Sequence, residues 1–371
     1  MRILHVETRH RRGGAERNLA NTIAWELSHG HEVHLAVGRD SLDGEFPPGA
    51  VAHVIPELVR SVSPVHDVRA LLALRRLIGD GRFDVVHTHQ SKAGVLGRLA
   101  ARNRVPVILH TIHMASFGPA YNSLASIGFA IAERRCASFT TRIVSVGREL
   151  VDMYRAAGIG SADRFVVIRS PIELSAYARL RDISPDERAS ARIGFGLRAE
   201  VPVALVVASL EPRKRVDLIV RSLAPSVAAG RVQLLIAGDG PERGLLQALV
   251  EELGVGDGVR FAGYVSDPTG VFAAATVLVH AATVEGVPQV VIQALAAGLP
   301  VAATEMVGLR EVDDAQVELA HATGKDLVDA CDRALRGPAR QVPLDSLAPW
   351  APDAVRRDLA ALYRSLPQAG R

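Results

Sequence analysis

The sequence predicts an α/β protein of two doubly wound domains, each built on a parallel sheet. A length of 371 residues allows two domains that each bury a core. Short apolar runs alternate with helix-like segments along most of the chain, which is typical of parallel sheets covered on both faces. The alternation stops at residues 170–200, which are polar and are interrupted by Pro and Gly. We place the domain junction there and expect ligands in a cleft at the carboxyl ends of the strands.

The predicted elements form two series with the same alternation. The first series has strands at 2–7, 32–37, 51–55, 84–89, 105–111 and 141–146, and helices at 14–30, 67–79, 92–102, 121–138 and 147–157. The second series has strands at 201–209, 232–238, 259–264, 276–282 and 300–304, with helices between them. A final helix is predicted over 352–366.

The bulk composition is that of a globular protein in water. The chain is 48% hydrophobic and 22% charged. The longest apolar stretch, 271–283, is too short to cross a bilayer, and the N-terminus enters a strand-like run without a signal-peptide pattern. Two cysteines, Cys136 and Cys331, cannot make a disulfide framework. We therefore expect a cytoplasmic protein.

The charge is uneven along the chain. Residues 1–175 carry more basic than acidic side chains, whereas 176–371 carry more acidic ones. A basic first half suits an anionic partner, such as a phosphorylated acceptor or the inner face of the plasma membrane, although a general surplus of arginine gives the same count. The scattered basic residues and the 4% aromatic content argue against nucleic acid.

Lysine is scarce in this chain. Only Lys92, Lys214 and Lys325 are present, so a retained lysine is a candidate for a compact point charge that the arginine fork would not replace. Lys92 follows the strand at 84–89, at the start of a helix whose dipole disfavours a cation. We therefore predict an anionic neighbour for Lys92, and we expect Ser91 to be the N-cap of this helix.

Polar residues and glycines follow the predicted strands of the first half. Gly13 and Gly14 would let the backbone approach a ligand at a helix N-terminus, or they simply form a turn. His87 and His89 have the spacing of a metal pair, but no third ligand is evident, so no metal is expected. His113 lies past a strand end, where a neutral imidazole would hydrogen-bond a sugar hydroxyl or a phosphate, or would pack.

The second half carries a basic cluster and an acidic loop. Arg213, Lys214 and Arg215 lie between a strand and a helix, where such a cluster would match the charge of a diphosphate. Glu285 precedes a helix whose first N–H groups are unpaired, and Pro288 suits the first turn of that helix. Gly286 lets the backbone come close to a ligand there.

The order of these pieces resembles the retaining GT-B glycosyltransferases of family 4. The resemblance covers about residues 1–315 and rests on "HTHQSKAGVLGRLAAR", "TIH", "ASLEPRKR", "AGDGPE", "FAGYV" and "EGVPQVVIQALAAGLPVAAT". It implies two Rossmann-like domains facing a central cleft: an acceptor-side domain of 1–175 plus 352–371, and a nucleotide-sugar domain of 176–351. It also implies transfer of a sugar from a nucleoside-diphosphate sugar, by family habit a UDP-sugar, to an acceptor hydroxyl. No metal or other cofactor is implied.

The resemblance also implies roles for particular residues. The catalytic residues would be His113, Lys214 and Glu285. The donor would be bound by Gly13, Gly14, Ser209, Arg213, Lys214, Glu285, Gly286, Val287, Gln289 and Gln293. His89 and Lys92 would lie on the acceptor side, where a glycan, a lipid-linked molecule or a soluble natural product would bind.

Two positions depart from the family pattern. The family usually has Arg where this chain has Ser209, and its second acid, which binds the ribose, is Gln293 here. An amide in place of a carboxylate weakens the ribose contact by about 1–2 kcal/mol, which affects binding rather than bond breaking. Arg213 or Arg215 would have to supply the missing charge at the leaving diphosphate. We expect a working transferase; the alternatives are a non-catalytic protein that binds nucleotide-sugars and a nucleotide-sugar epimerase.

Overall fold

The computed structural model describes residues 1–10, 13–41, 46–118, 123–312, 317–320, 324–336 and 341–367. The chain divides into two compact units: Met1–Pro171 together with Pro352–Arg371, and Ile172–Ala351. The sequence places the corresponding boundary after residue 175 and also groups 352–371 with the first part. None of the helices in the described ranges has the length and hydropathy that a bilayer crossing requires.

The first unit is built on one parallel sheet. Its strands are β1 (Arg2–Val6), β2 (Glu32–Gly38), β3 (Val51–Ile55), β4 (Val85–His89), β5 (Val107–Ile112), β6 (Arg142–Ser145) and β7 (Phe165–Val167). The order across the sheet is β3-β2-β1-β4-β5-β6-β7. The helices between the strands are α1 (Gly14–Ser28), α2 (Pro64–Gly81), α3 (Ser91–Ala101), α4 (Ser123–Ala137) and α5 (Arg148–Ala156).

The second unit repeats this plan. Its strands are β8 (Val203–Val207), β9 (Gln233–Ala237), β10 (Val259–Gly263), β11 (Val277–His280), β12 (Val301–Thr304) and β13 (Val317–Ala320), in the order β10-β9-β8-β11-β12-β13. Its helices are α6 (Leu174–Ala178), α7 (Pro185–Gly194), α8 (Val216–Ala228), α9 (Arg243–Glu252), α10 (Thr269–Ala274), α11 (Gln289–Ala296), α12 (Gly324–Arg336) and α13 (Leu344–Leu347). All strand pairs in both units are parallel, as the alternating pattern predicts.

The last helix, α14 (Pro352–Arg364), completes the core of the first unit. Val355, Leu359 and Leu362 recur at helical spacing and form its apolar face. They are buried against Ile3 of β1 and Trp25 of α1. The neighbouring residue of β1, Leu4, belongs to the core on the opposite side of the sheet, since successive strand residues point to opposite faces.

Some elements carry too little pattern to be predicted. β7 has three residues, and the four residues of β13, VELA, include a glutamate, so neither forms a continuous apolar run of strand length. The junction segment 170–200 has no strand but contains α6 and α7. Helix α7 begins with a capping box: the hydroxyl of Ser184 accepts from the Glu187 N–H, and the Glu187 carboxylate accepts from the Ser184 N–H.

Candidate active site

The strand order determines which loops of each unit come together. In the second sheet β8 lies between β9 and β11, so the loops after β8 and β11 leave the sheet side by side. In the first sheet the same relation holds for the loops after β1 and β4. Ligands of doubly wound sheets bind at such switch points. The predicted site residues lie in or next to these loops, except His113, which follows β5.

In the second unit, Lys214 and Glu285 form an ion pair. Lys214 ends a short 3-10 turn after β8, and Glu285 lies in the loop after β11. The Lys214 Nζ contacts Glu285 Oε1, and the two side chains are only 13% and 14% exposed. Burial by itself would raise the pKa of the Glu285 carboxyl, but Lys214, His280 and Arg213 outweigh it and hold that pKa below its usual value.

The two arginines that flank Lys214 point to different partners. The Nη1 atom of Arg213 lies 3.8 Å from Glu285 Oε2, and its Nε donates to Glu211 over 3.0 Å. The carbonyl of Arg213 accepts from the N–H of Thr283 at 2.9 Å, which ties the β8 loop to the β11 loop. Arg215 instead lies 3.4 Å from Asp217. Arg213 is therefore the arginine that borders the ion pair.

His280 is a residue of this site that the sequence analysis missed. It ends β11, is 3% exposed, and places Nε2 at 3.7 Å from Glu285 Oε1. Burial, Lys214 and Arg213 together lower its pKa to about 4 against the opposing effect of Glu285. Within the described residues Nε2 has no hydrogen-bond partner. A histidine at the last position of a strand, five residues before Glu285, was the available signal.

The loop after Glu285 is held by backbone packing. Gly308 has φ +94°, and a Cβ there would lie 1.9 Å from the carbonyl oxygen of Gly286. Val287 is half-buried against the core of the second unit. Pro288, expected in the first helical turn, is instead the N-cap, so that α11 begins at Gln289. The helix therefore begins next to this loop, and the N–H of Val291 donates to the Pro288 carbonyl at 3.0 Å.

The two positions that depart from the family pattern are both in the second unit. Gln293 lies on α11 and is 8% exposed. Ser209 is half-buried in the loop after β8, where its carbonyl accepts from the N–H of Glu211 at 2.8 Å. The neighbouring strand end comes close to this loop, because a Cβ on Gly238 would lie 1.8 Å from the Ala208 oxygen.

In the first unit, the predicted glycines lie at the start of α1. Gly13 is the N-cap, Gly14 is the first helical residue, and the Gly13 carbonyl accepts from the N–H of Arg17 at 3.0 Å. A Cβ on Gly13 would lie 2.5 Å from the carboxylate of Glu16, so glycine leaves room for that side chain. The preceding loop residues 11–12 lie outside the described residues.

Two acidic residues near this loop were also missed. Glu7 follows β1 directly and contacts His10 Nδ1 at 2.5 Å. Burial raises the pKa of Glu7 in spite of His10 and His5. Burial and the charge of Glu7 raise the pKa of Glu16 to about 7. Two carboxyl groups with raised pKa values therefore lie at the switch point of the first sheet.

His113 and His89 lie in contact, but only His113 is partly exposed. The Nδ1 of His89 is 3.1 Å from Nε2 of His113. Burial lowers the pKa of His113 to about 4, so its imidazole is neutral at neutral pH. His89 is 2% exposed, which argues against the expected direct contact with an acceptor. The hydrogen bond between His89 and His113 suits His89 to orient the His113 imidazole.

A third histidine joins the pair His87 and His89. His5, His87 and His89 are buried and bring one ring nitrogen each within 4.8 Å of one another. No third ligand is evident from the sequence, because His5 comes from β1 and is far from His87 along the chain. However, His5 Nδ1 and His89 Nε2 lie 2.9 Å apart in a hydrogen bond, so one of these two nitrogens carries a proton. This favours a hydrogen-bonded group over a metal site.

Lys92 has the predicted anionic neighbour, and it is a residue of this chain. Its Nζ contacts the carboxylate of Asp67 on α2 and donates to the Ser61 carbonyl at 2.5 Å. This structural partner accounts for the lysine without an acceptor. The expected N-cap is corrected as well: Gln90, with φ 62°, precedes α3, and Ser91 is the first helical residue.

Curated proteins with similar sequences are glycosyltransferases by name. An Escherichia coli UDP-Gal:alpha-D-GlcNAc-diphosphoundecaprenol alpha-1,3-galactosyltransferase is 35% identical over 99 residues, which is 26% of each chain. EpsD of Bacillus subtilis strain 168, provisionally named a glycosyltransferase, is 27% identical over 78% of this chain and 75% of its own. The first alignment thus spans about a quarter of the relative's length.

Solved structures show the fold. The crystal structure of Anabaena HepE in complex with UDP and glucose superimposes with a TM-score of 0.80 at 18% identity, covering 99% of this chain and 100% of the other. At this identity the likeness shows the GT-B fold alone.

Two family models match the chain, one in each unit. The model "Glycosyl transferase 4-like domain" matches residues 13–171, and the model "Glycosyl transferases group 1" matches residues 201–336. Each match lies within one of the two compact units. Together they cover most of the chain, with the ion pair of Lys214 and Glu285 inside the second. The chain belongs to the group 1 glycosyltransferases, enzymes of the GT-B fold.

Proposed function

We propose that this protein transfers a sugar from a UDP-sugar to an acceptor hydroxyl, with retention of the anomeric configuration. The observation that carries the proposal is the ion pair of Lys214 and Glu285. It lies at the switch point of the second sheet, next to the N-terminus of α11 and within the segment matched by the family model. Similarity to a named UDP-Gal transferase supports the choice of base.

The groups around this pair suit a departing diphosphate. Lys214 supplies a compact cation, and Arg213, 31% exposed, has guanidinium N–H groups beyond the one donated to Glu211. The positive end of the α11 helix dipole adds to this potential. Charge that develops on the diphosphate as it leaves would meet donors already in place, which is the main source of catalysis in such a site.

Glu285 and Gln293 would contact the sugar and the ribose. The carboxylate of Glu285 is kept ionised by its cationic neighbours and is able to accept hydrogen bonds from sugar hydroxyls. The amide of Gln293 offers one acceptor in place of two charged ones, so the ribose contact is weaker than with the usual acid. The change to Gln293 would thus lower affinity for the nucleotide, whereas Ser209 removes a charge at the leaving diphosphate that Arg213 would have to supply.

We further propose a lipid-linked or glycan acceptor reached at the inner face of the plasma membrane. Helix α4 exposes Leu124, Ile127 and Ile131 at helical spacing, with 82%, 57% and 58% of each side chain accessible. Arg134 and Arg135 follow in the last turn of the same helix. An apolar row beside basic residues fits an anionic bilayer surface. The diphosphoundecaprenol acceptor named for the Escherichia coli relative supports this choice.

The test is a panel of nucleoside-diphosphate sugars, measured for thermal stabilisation and for slow release of the diphosphate. Wild type is compared with Glu285→Gln and with Glu251→Gln, which makes the same change on the exposed end of α9. We expect one UDP-sugar to stabilise the wild type and to release UDP. Glu285→Gln should abolish release, and Glu251→Gln should not.

Two other outcomes separate the alternatives. Stabilisation by a donor with no release, even after a screen of lipid-linked and soluble acceptors, would favour a non-catalytic nucleotide-sugar-binding protein. A free epimerised sugar formed without acceptor would favour an epimerase. Absence of stabilisation by every donor would contradict the proposed function.

A further inference from the structure

A chain of hydrogen bonds crosses the interior of the first unit and ends at His113. The Tyr363 hydroxyl on α14 contacts Glu26 Oε1 on α1, and Glu26 Oε2 lies 2.7 Å from His5 Nε2 on β1. His5 Nδ1 is 2.9 Å from His89 Nε2, and His89 Nδ1 is 3.1 Å from His113 Nε2. All members except His113 are buried. We call these five residues the Tyr363–His113 relay.

The Glu26 end of the relay determines which nitrogen donates and which accepts in each of its hydrogen bonds. Burial and the neighbouring Glu26 raise the pKa of Tyr363 well above its usual value. The tyrosine therefore keeps its proton and donates a hydrogen bond to Oε1. An ionised carboxylate only accepts hydrogen bonds. With Glu26 as the carboxylate, the Nε2 of His5 carries the proton that it shares with Oε2 of Glu26.

The histidines transmit this direction because a neutral imidazole has one N–H and one bare nitrogen. With its proton on Nε2, His5 presents a bare Nδ1, which accepts from the Nε2–H of His89. His89 then presents a bare Nδ1 that accepts from the Nε2–H of His113. Burial keeps the pKa of both His89 and His113 low, which excludes a second proton on either ring at neutral pH.

We propose that Glu26, acting through His5 and His89, fixes His113 as the Nε2–H tautomer and so presents its bare Nδ1 as a hydrogen-bond acceptor for a hydroxyl group of the bound substrates. Glu26, His5 and His89 are positioning residues, because none of them touches the reacting atoms. The use of Nδ1 in sugar transfer rests on the proposed function, whereas the tautomer itself does not.

A proton added to His5 would reverse the relay. His5 would then donate through Nδ1 to His89 Nε2, His89 would donate through Nδ1 to His113 Nε2, and His113 would carry its proton on Nδ1. That state offers a substrate hydroxyl a donor in place of an acceptor. The number of protons on His5, one or two, thus decides which nitrogen of His113 is bare.

Long-range ¹H–¹⁵N spectra of the full chain with labelled histidine read the tautomers directly. The His113 resonances are assigned by their loss in His113→Gln. In the wild type we expect Nε2–H at His5, His89 and His113. A proton on Nδ1 of His113 would overturn the proposal, and so would one tightly bound metal ion per purified chain, since both facing nitrogens of His5 and His89 would then be bare.

Two variants separate a positioning role from a structural one. His5→Phe cuts the relay, and we expect His113 to become a mixture of tautomers and kcat to fall by about tenfold with little change in the donor KM. His110→Phe makes the same change at another buried histidine of this unit, which bonds Thr88 outside the relay. It should alter neither quantity. An unchanged His113 tautomer in His5→Phe would contradict the proposal; a protein with the expected tautomers but no transfer would refute only the proposed function.

Discussion

Lys214 and Glu285 lie 71 positions apart in the chain and form a largely buried ion pair. They meet because the strands that precede them, β8 and β11, are neighbours in the second sheet. Each charge is largely removed from water, so each depends on the other. Loss of one partner leaves the other as a poorly solvated charge, which costs more than the pair itself contributes.

The first prediction is a strong coupling between these two residues. Glu285→Gln and Lys214→Met should each lower the free energy of unfolding by about 1–3 kcal/mol, and the double variant should lose less than the sum. Urea unfolding of the four proteins in a double-mutant cycle measures the coupling. Additive losses would show that the two charges are solvated independently.

The second prediction distinguishes the two arginines beside Lys214. Only Arg213 borders Glu285, whereas Arg215 pairs with Asp217. Arg213→Ala should therefore lower kcat at least about tenfold through loss of charge at the diphosphate, and Arg215→Ala should stay within about twofold of wild type. Steady-state kinetics with the UDP-sugar that the donor panel identifies provides the comparison. Equal losses, or no loss in either, would remove Arg213 from the site.

The third prediction restores the usual acid of the family. Gln293→Glu should tighten UDP binding by about tenfold, because a neutral hydrogen bond to the ribose becomes charge-assisted. The same change should lower the melting temperature of the free protein, since the side chain is 8% exposed and the new carboxylate is unpaired without ligand. Calorimetric titration with UDP and thermal unfolding measure the two effects. Weaker UDP binding would place the ribose elsewhere.

The fourth prediction concerns pH and His280. Its folded pKa of about 4 lies below the ordinary 6.5, so the unfolded chain binds the extra proton first and stability falls as the pH drops from 6.5 towards 4. Glu285, Lys214 and Arg213 are the charged groups that act on it. His280→Phe should reduce the loss of unfolding free energy between pH 7 and pH 5 by about 2 kcal/mol.

Urea unfolding at the two pH values measures this difference. The other buried histidines with lowered pKa have the same sign, so a slope should remain in the variant. An identical pH dependence in wild type and His280→Phe would mean that His280 takes up its proton in the folded state as easily as in water.

The fifth prediction concerns the exposed apolar row of α4. Replacing Leu124, Ile127 and Ile131 with Ser should weaken binding to anionic phospholipid vesicles at least about tenfold, because each side chain loses apolar area that would be buried in the bilayer surface. The control is Ser at Val65, Val68 and Leu72 of α2, which are similarly exposed. Vesicle sedimentation compares them. Equal loss in both variants, or no binding by the wild type, would contradict the proposed membrane contact.

The sequence predicted most of the strands because buried parallel strands are continuous apolar runs. It also identified Lys214 and Glu285, since both lie in loops with a recognisable order of charges and glycines. β7 was missed because it has only three residues, and β13 because a glutamate interrupts its short apolar run. The N-cap of α3 was misplaced by one residue, because Ser is a common cap and Gln90 with a positive φ is not.

The sequence alone could not predict contacts between residues that lie far apart in the chain. His87 and His89 were visible as a pair, but the roles of His5 and Tyr363 depend on strand order and on the packing of the last helix. Lys92 was expected to face an anion, yet only the structure identifies that anion as Asp67. Contacts between distant residues follow from topology, and a single sequence does not encode topology locally.

The packing of α14 into the first unit reverses the order in which the two units can be completed during synthesis. Residues 172–351 leave the ribosome with all of their core, whereas the unit begun at β1 still lacks Val355, Leu359 and Leu362. One apolar face of its sheet therefore stays uncovered until the whole second unit has been synthesised. The half of the molecule that is translated first is therefore the last to close, and a nascent chain stalled before residue 352 would present Trp25 and Ile3 to chaperones.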